Sequence, residues 1–338
     1  EGEGNIDEDP LFVAATDGDY RLSDYSPAIG AGTATGAPTT DIDGNTRPNP
    51  EGSNPDMGAY ENVLGTPLLK ETLHEVKQDG SGDFTSIQGA IDFSSDGDTV
   101  LVSPGTYQEN VNIQDRSVTL ASLFFTTGDI AYVSSTIIDA GSNGSAIEIT
   151  GEYNDQNTSI ISGFTIEDAS SAGVWANSYN SISIDQCIIQ DNDGFEGGGV
   201  SAPYDVNTLK IKNTVIRSND GGGNIGGGVA AGSPNSGMDR FEMYNSLVYG
   251  NNNVNDGGGL FINSDVTIIV NSTIAKNEAN GPGSGIIFYS SSNDSTLILN
   301  SIISDNQSNN IFGEEGSDIY QANNNPILLR NSYLNYAL

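Results

Sequence analysis

Cationic side chains, thiols and long apolar runs are what this chain has least of. Its 338 residues hold 11 lysines and arginines against 45 aspartates and glutamates, a net charge of −34. Such a surface repels nucleic acid and anionic lipid, so neither is expected as a partner. It suits an extracellular, saline setting in which divalent cations screen the carboxylates. The single cysteine, Cys187, leaves no intrachain disulfide to hold the fold and reads as a buried, inert thiol. No apolar run approaches the ~20 residues of a membrane-spanning helix, so no membrane insertion is expected. A signal-peptide pattern is absent too. With this surface, the expectation is a processed or interior piece of a secreted or surface-displayed protein.

What the chain has in quantity is glycine, asparagine and serine, with 36% hydrophobic residues, a composition that suits an elongated all-β protein with a narrow core. From about Gly173 to Tyr336 the sequence repeats itself. The aligned segments read DQCIIQDN, KNTVIRSN, YNSLVYGN, VNSTIAKN and LNSIISDN, with RNSYLNYA as a sixth. One asparagine column comprises Asn213, Asn245, Asn271, Asn300 and Asn331. A second comprises Asn192, Asn219, Asn251, Asn277 and Asn306. A third landmark, glycine followed by an aliphatic residue, recurs as Gly173-Val174, Gly199-Val200, Gly228-Val229, Gly259-Leu260 and Gly285-Ile286. The spacing of 26 to 32 residues, with short β-type runs, is the signature of a solenoid.

Two all-apolar columns mark the core: Ile184, Ile211, Met243, Ile269, Ile298 and Leu329, and Ile189, Ile216, Val248, Ile274, Ile303 and Leu334. Side chains alternate along a strand, so counting by twos places the first asparagine column inside, at the bend between strands. Buried amides must be hydrogen-bonded. In coils roughly 4.8 Å apart each asparagine can bond the one above and below, and both columns are expected to form such ladders. The small column Cys187, Thr214, Ser246, Ser272, Ser301 and Ser332 suits a tight corner. The fold expected is all-β, a right-handed parallel β-helix with one coil per repeat; a leucine-rich-repeat horseshoe lacks support from leucine spacing or helix formers.

Residues 1–64 differ from the rest, being rich in Pro, Asp and Gly. Their phrases NIDEDPLFVAATDGDYRLSDYSPAIGAG and DIDGNTRPNPEGSNPDMGAYEN resemble the closing segment of bacterial surface β-helix proteins of the pectate-lyase-like superfamily, including variably anchored ones. In that family the phrase follows the last coils and ends at Gly-Ala-Tyr-Glu, matched here by Gly58 to Glu61. Residues 65–73 read as a linker. His74 to Val111 then resembles the opening of pectinesterase and pectate-lyase-like β-helices, with a short helix capped by Thr85 or Ser86 and an apolar face of Ile87, Ala90, Ile91 and Phe93. That helix would plug the open end of a β-helix over 74–338, whose regular coils run from about 160. An ending placed before a beginning fits either a fragment spanning two unlike domains or one period of a tandem array. On the array reading residues 1–64 complete a preceding unit, do not pack as an independent globule, and Leu338 of one unit meets Glu1 of the following one.

The resemblance does not extend to a catalytic site. Pectinesterases carry phrases such as Gln-Asp-Thr-Leu and Asp-Phe-Ile-Phe-Gly, echoed only by Asn310-Ile311-Phe312-Gly313. A β-helix lyase needs a base for the proton beside a uronate carboxylate, usually with calcium. The one cluster that fits is Lys210 and Lys212 with Asp185, Glu242 and Tyr244, and cross-coil ion pairing is its plainer reading. His74, the only histidine, reads as structural. For calcium, Asp41, Asp43 and Asn45 have alternate spacing without the rest of an EF-hand. Acidic residues also gather in the turns after the second asparagine column: Asp191, Asp193, Glu196, Asp220, Asp256, Glu278, Glu314 and Glu315. These are candidates for weak Ca²⁺ binding, although solvated turns are the commoner outcome. The function expected is a secreted or cell-surface structural or adhesive β-helix, a unit of a repetitive adhesin or fibre whose partners are further copies of itself. The alternatives are an extracellular polysaccharide lyase and a carbohydrate-binding domain without turnover. Finally, the outward residues Ile268, Val270, Leu297, Leu299 and Leu328 form an aliphatic patch expected to be covered, by Leu11, Phe12 and Tyr20 of a closing segment or by a partner chain.

Overall fold

The computed structural model describes all residues except 1–3, 8, 69–71, 152–156, 178–179, 224, 254, 290–294, 309–317, 323–326 and 335–338. The junction of Leu338 with Glu1, the Asn310 to Gly313 phrase and the acidic residues Glu314 and Glu315 lie outside the described residues. The chain divides into two compact units, Glu1–Glu71 and Thr72–Leu338.

The larger unit is a right-handed parallel β-helix of about 8 turns. Three parallel sheets run its length, and each takes one strand from successive coils in chain order. The first sheet begins at Leu73–Val76 and ends at Ile327–Arg330, the second runs from Gly105–Gln108 to Tyr333–Leu334, and the third from Val111–Gln114 to Ile319–Gln321. Register follows the repeat. Ile184, Ile211, Met243, Ile269, Ile298 and Leu329 pair in the first sheet. Ile189, Ile216, Val248, Ile274, Ile303 and Leu334 pair in the second. All are buried except Leu329 and Leu334, in the last strands of their sheets. The buried ones belong to one apolar core continuous from Val76 to Ile303, against which Leu334 also packs.

The second asparagine column forms the ladder expected of it. Asn192 donates its side-chain amide to Asn219 Oδ1, Asn219 to Asn251, Asn251 to Asn277 and Asn277 to Asn306, each at 2.9 Å. Each amide oxygen also accepts the backbone N–H of the asparagine before it, as Asn277 Oδ1 does from Asn251 N at 3.1 Å. Asn306 passes its amide to Asp318 Oδ1 at 2.8 Å, where the row ends. The glycine column is explained by the same row. A Cβ on Gly259 would lie 2.5 Å from Gly285 O and 2.9 Å from Asn277 Nδ2, so no side chain fits beside the ladder.

The first asparagine column does not point inward, and that expectation is corrected. Asn213 is half-buried, while Asn245, Asn271, Asn300 and Asn331 are exposed. All five, with Gln186 one coil earlier, have φ between 48° and 52°. A left-handed residue turns the chain and breaks the alternation, so counting by twos fails across the corner; asparagine serves there because it tolerates that conformation. The residue after it points inward instead. Those residues form a ladder of their own: Ser246 N donates to Ser272 Oγ at 3.3 Å, Ser272 N to Ser301 Oγ at 3.2 Å, and each hydroxyl donates to the carbonyl two residues back. Outside, a shorter amide row runs from Asn245 to Asn213 Oδ1 at 2.7 Å and from Asn213 to Asp185 Oδ1 at 2.9 Å.

The capping helix spans Ile87–Phe93. Ser86 Oγ accepts the Gly89 N–H, and the Glu109 carboxylate takes the free N–H groups of Ile87 and Gln88 at 3.0 and 2.9 Å. Ile87, Ala90 and Ile91 are buried in the core. Phe93 is not on that face: six residues on, it stands roughly 120° round the axis from Ile87. It is exposed and lies against the rings of His74 and Phe84.

The smaller unit has some packing of its own. Leu22, Ala28 and Ile29, with Met57 and Leu64 against them, make a small core. Glu61, the end of the Gly-Ala-Tyr-Glu phrase, is buried against Arg47 at 2.6 Å and accepts the N–H groups of Asn49 and Asp56, while Arg47 also donates to the carbonyls of Gly58 and Tyr60. A buried pair holds only when its remaining hydrogen-bonding capacity is met, as it is here.

Candidate functional site

The first sheet alternates side chains inward and outward, so the cluster singled out from the sequence falls on its outer face. Ser183, Lys210, Glu242, Ile268, Leu297 and Leu328 occupy one outward column, and Asp185, Lys212, Tyr244, Val270, Leu299 and Arg330 the next. Lys210 Nζ lies 3.1 Å from Glu242 Oε2 and Lys212 Nζ 2.9 Å from Asp185 Oδ2. Arg240 was missed in the sequence; it stands two residues before Glu242 and holds that carboxylate's other oxygen. Lys210 also sits 5.3 Å from the centre of the Tyr244 ring. The five residues are therefore brought together, Lys212 on Asp185 and Lys210 on Glu242, with the Tyr244 ring against Lys210.

This arrangement suits cohesion better than proton abstraction. Burial alone would raise the Glu242 carboxyl, but the hydrogen bonds from Arg240 and Lys210 outweigh it and hold the carboxyl below its usual range. Burial, with Glu242 close by, pushes the Tyr244 hydroxyl up. A base must be unprotonated and unencumbered near neutral pH. Both lysines are instead occupied by carboxylates of neighbouring coils.

The other candidates are also committed. Asp41 spends its carboxylate on the protein: Oδ1 accepts the N–H groups of Asp43 and Asn45 at 2.9 and 2.8 Å, and Oδ2 the Asn45 amide and the Glu61 N–H. Those bonds, the Asn45 side chain foremost, hold it down at about 2. The Asp41, Asp43 and Asn45 run is thus a closed turn of donors to one carboxylate, the reverse of a cage of oxygens for a cation. Asp191 is a left-handed corner residue and Asp193 faces solvent. Among the described residues, no group of three or more acidic, histidine or cysteine side chains is placed to hold a metal ion. His74 is buried, with Nε2 3.0 Å from Asp98 Oδ2. Cys187 is buried and its thiol is pushed up to about 12 by that burial.

The aliphatic residues Ile268, Val270, Leu297 and Leu299 stand outward, as expected, and each is half-buried by neighbours on its own face. Phe12 and Tyr20, the proposed covering residues, pack edge to face on each other and stay exposed. No described helix is long and apolar enough to cross a membrane.

No family model and no curated protein matches the sequence. Among solved structures, the chain is similar to a pectin methylesterase from Aspergillus niger, at 10% identity over 79% of this chain and 86% of that one, with a TM-score of 0.43. A second form of that enzyme matches at 11% identity, over 78% of this chain and 86% of that one, with a TM-score of 0.40. A mutant of the PL6 family alginate lyase AlyGC is 10% identical over 83% of this chain and 43% of that one, with a TM-score of 0.36. What they have in common with this chain is the solenoid, which the strand pairing here establishes on its own.

Proposed function

We propose that this protein is a structural, surface-contact β-helix of the cell exterior, repeated in tandem within an adhesin or fibre, and that its outer face holds coils together rather than turning over a substrate. The observation that carries this reading is the closed state of that face: Lys210 and Lys212, the basic groups of the cluster, are each paired to a carboxylate of a neighbouring coil. Two continuous ladders and a core without breaks give the solenoid the stiffness an extended element needs. The order of the two motif segments, Gly58 to Glu61 before His74, supports tandem repetition. The surface charge supports an exterior location.

Incubation with pectate and alginate, followed by the ultraviolet absorbance of unsaturated products, tests the absence of turnover. No product is expected from either polymer. Product that disappears in Lys210→Met or Lys212→Met would replace this reading with a lyase.

A further inference from the structure

Outside the ion-paired face, the turns following the second asparagine column, Tyr204 at the end of a third-sheet strand and the loop carrying Ser233 and Pro234 line a cavity of about 330 Å³ whose walls include Glu196, Ile225 and Asp256. Its construction follows from the stacking. Glu196 bridges Ile225 and Ile225 bridges Asp256, so three successive coils place a carboxylate, an apolar side chain and a carboxylate in one column. The two acidic residues are two coil spacings apart along the backbone, roughly 10 Å. Ile225 between them belongs to a small apolar cluster of its own, with Ala230, Phe261 and Ile287.

Two polar groups in this cavity lack what polar groups normally have. Ser233 is 3% exposed, and its hydroxyl is buried with no hydrogen-bond partner among the described residues. The Asp256 carboxylate is half-buried, and burial pushes it above the ordinary range, with no hydrogen bond or cation from a described residue offsetting it. It is nevertheless seated: a Cβ on Gly281 would come within 1.9 Å of Asp256 Oδ1, so the next coil makes room for the carboxylate by having no side chain there. A carboxylate held out of water without a donor is costly unless a ligand supplies one.

We propose that this cavity binds a compact organic ammonium ion of the size of an amino sugar, with its nitrogen on Asp256, its apolar face across Ile225 and against Tyr204, and its far polar edge toward Glu196. The lining residues include no lysine or arginine to receive a uronate carboxylate. Among the described residues no group of three or more carboxylates gathers here to hold a bare calcium ion. Tyr204 is 47% exposed and presents a ring to stack on or to attract a cation.

The test is calorimetric titration of the whole chain with glucosamine, glucose and galacturonate. Glucosamine is expected to bind at least an order of magnitude more tightly than glucose, and galacturonate to give no binding. Asp256→Asn, which keeps the side-chain shape, is expected to remove the preference for the amine, and Tyr204→Ala to weaken both sugars alike. The proposal is overturned if glucosamine fails to bind, if glucose binds equally well, if Asp256→Asn keeps the preference, or if calcium chloride displaces glucosamine competitively.

Discussion

Asn251 sits in the middle of the buried amide row, receiving from Asn219 and donating to Asn277 and to the Ile216 carbonyl. Asn271 belongs to the other column, exposed and left-handed at φ 51°. The same residue type is therefore used for opposite reasons, once for its hydrogen bonds and once for its backbone. Asn251→Ala leaves the buried Asn219 backbone N–H without its acceptor and takes one of two acceptors from the Asn219 amide, and is expected to cost about 1 to 3 kcal/mol. Asn271→Ala strands no buried group; its cost is that of alanine in a left-handed corner, about 1 to 2 kcal/mol, and Asn271→Gly is expected to recover most of it. Urea unfolding of the three variants separates the two roles. Equal loss in Asn251→Ala and Asn271→Ala, with no recovery by glycine, would sink the distinction.

The corner marks where sequence reading stopped working at the scale of elements. Strands were legible because the inward columns Ile184 to Ile298 and Ile189 to Ile303 carry the same kind of side chain in every coil. The corners were not, because a single residue with φ near 50° resets the alternation, and asparagine fits either side of it. The ion-paired cluster was legible because its members share a column position in adjacent coils. The cavity at Asp256 was not, because its lining comes from turns of unequal length in successive coils. Glu109 belongs with the features only the structure reveals: it stands 22 residues from the helix end it caps. A carboxylate at a helix N-terminus is favoured by both the free N–H groups and the dipole. Glu109→Ala is expected to lower stability by about 1 kcal/mol, and Ser86→Ala by a similar amount. Chemical denaturation that finds Glu109→Ala unchanged would mean water replaces the carboxylate there without loss.

At the scale of the whole molecule, a solenoid is a stack in which each coil touches only its neighbours, so its stability is close to a sum over coils and their interfaces. Deletion of Asp220–Asn251 tests whether this chain behaves so. It removes 32 residues, the separation of Asn219 from Asn251, and brings Asn219 under Asn277, Thr214 under Ser272 and Ile211 under Ile269. Both ladders and the core thus close again in register. The cost is local: Lys210 loses Glu242 and comes to face Ile268, one coil interface disappears, and the cavity at Asp256 loses a wall. The shortened protein is expected to keep its β-sheet circular dichroism and a single cooperative transition, melting several degrees lower. Loss of that spectrum would show that the coils are not interchangeable and that the removed one carries the fold.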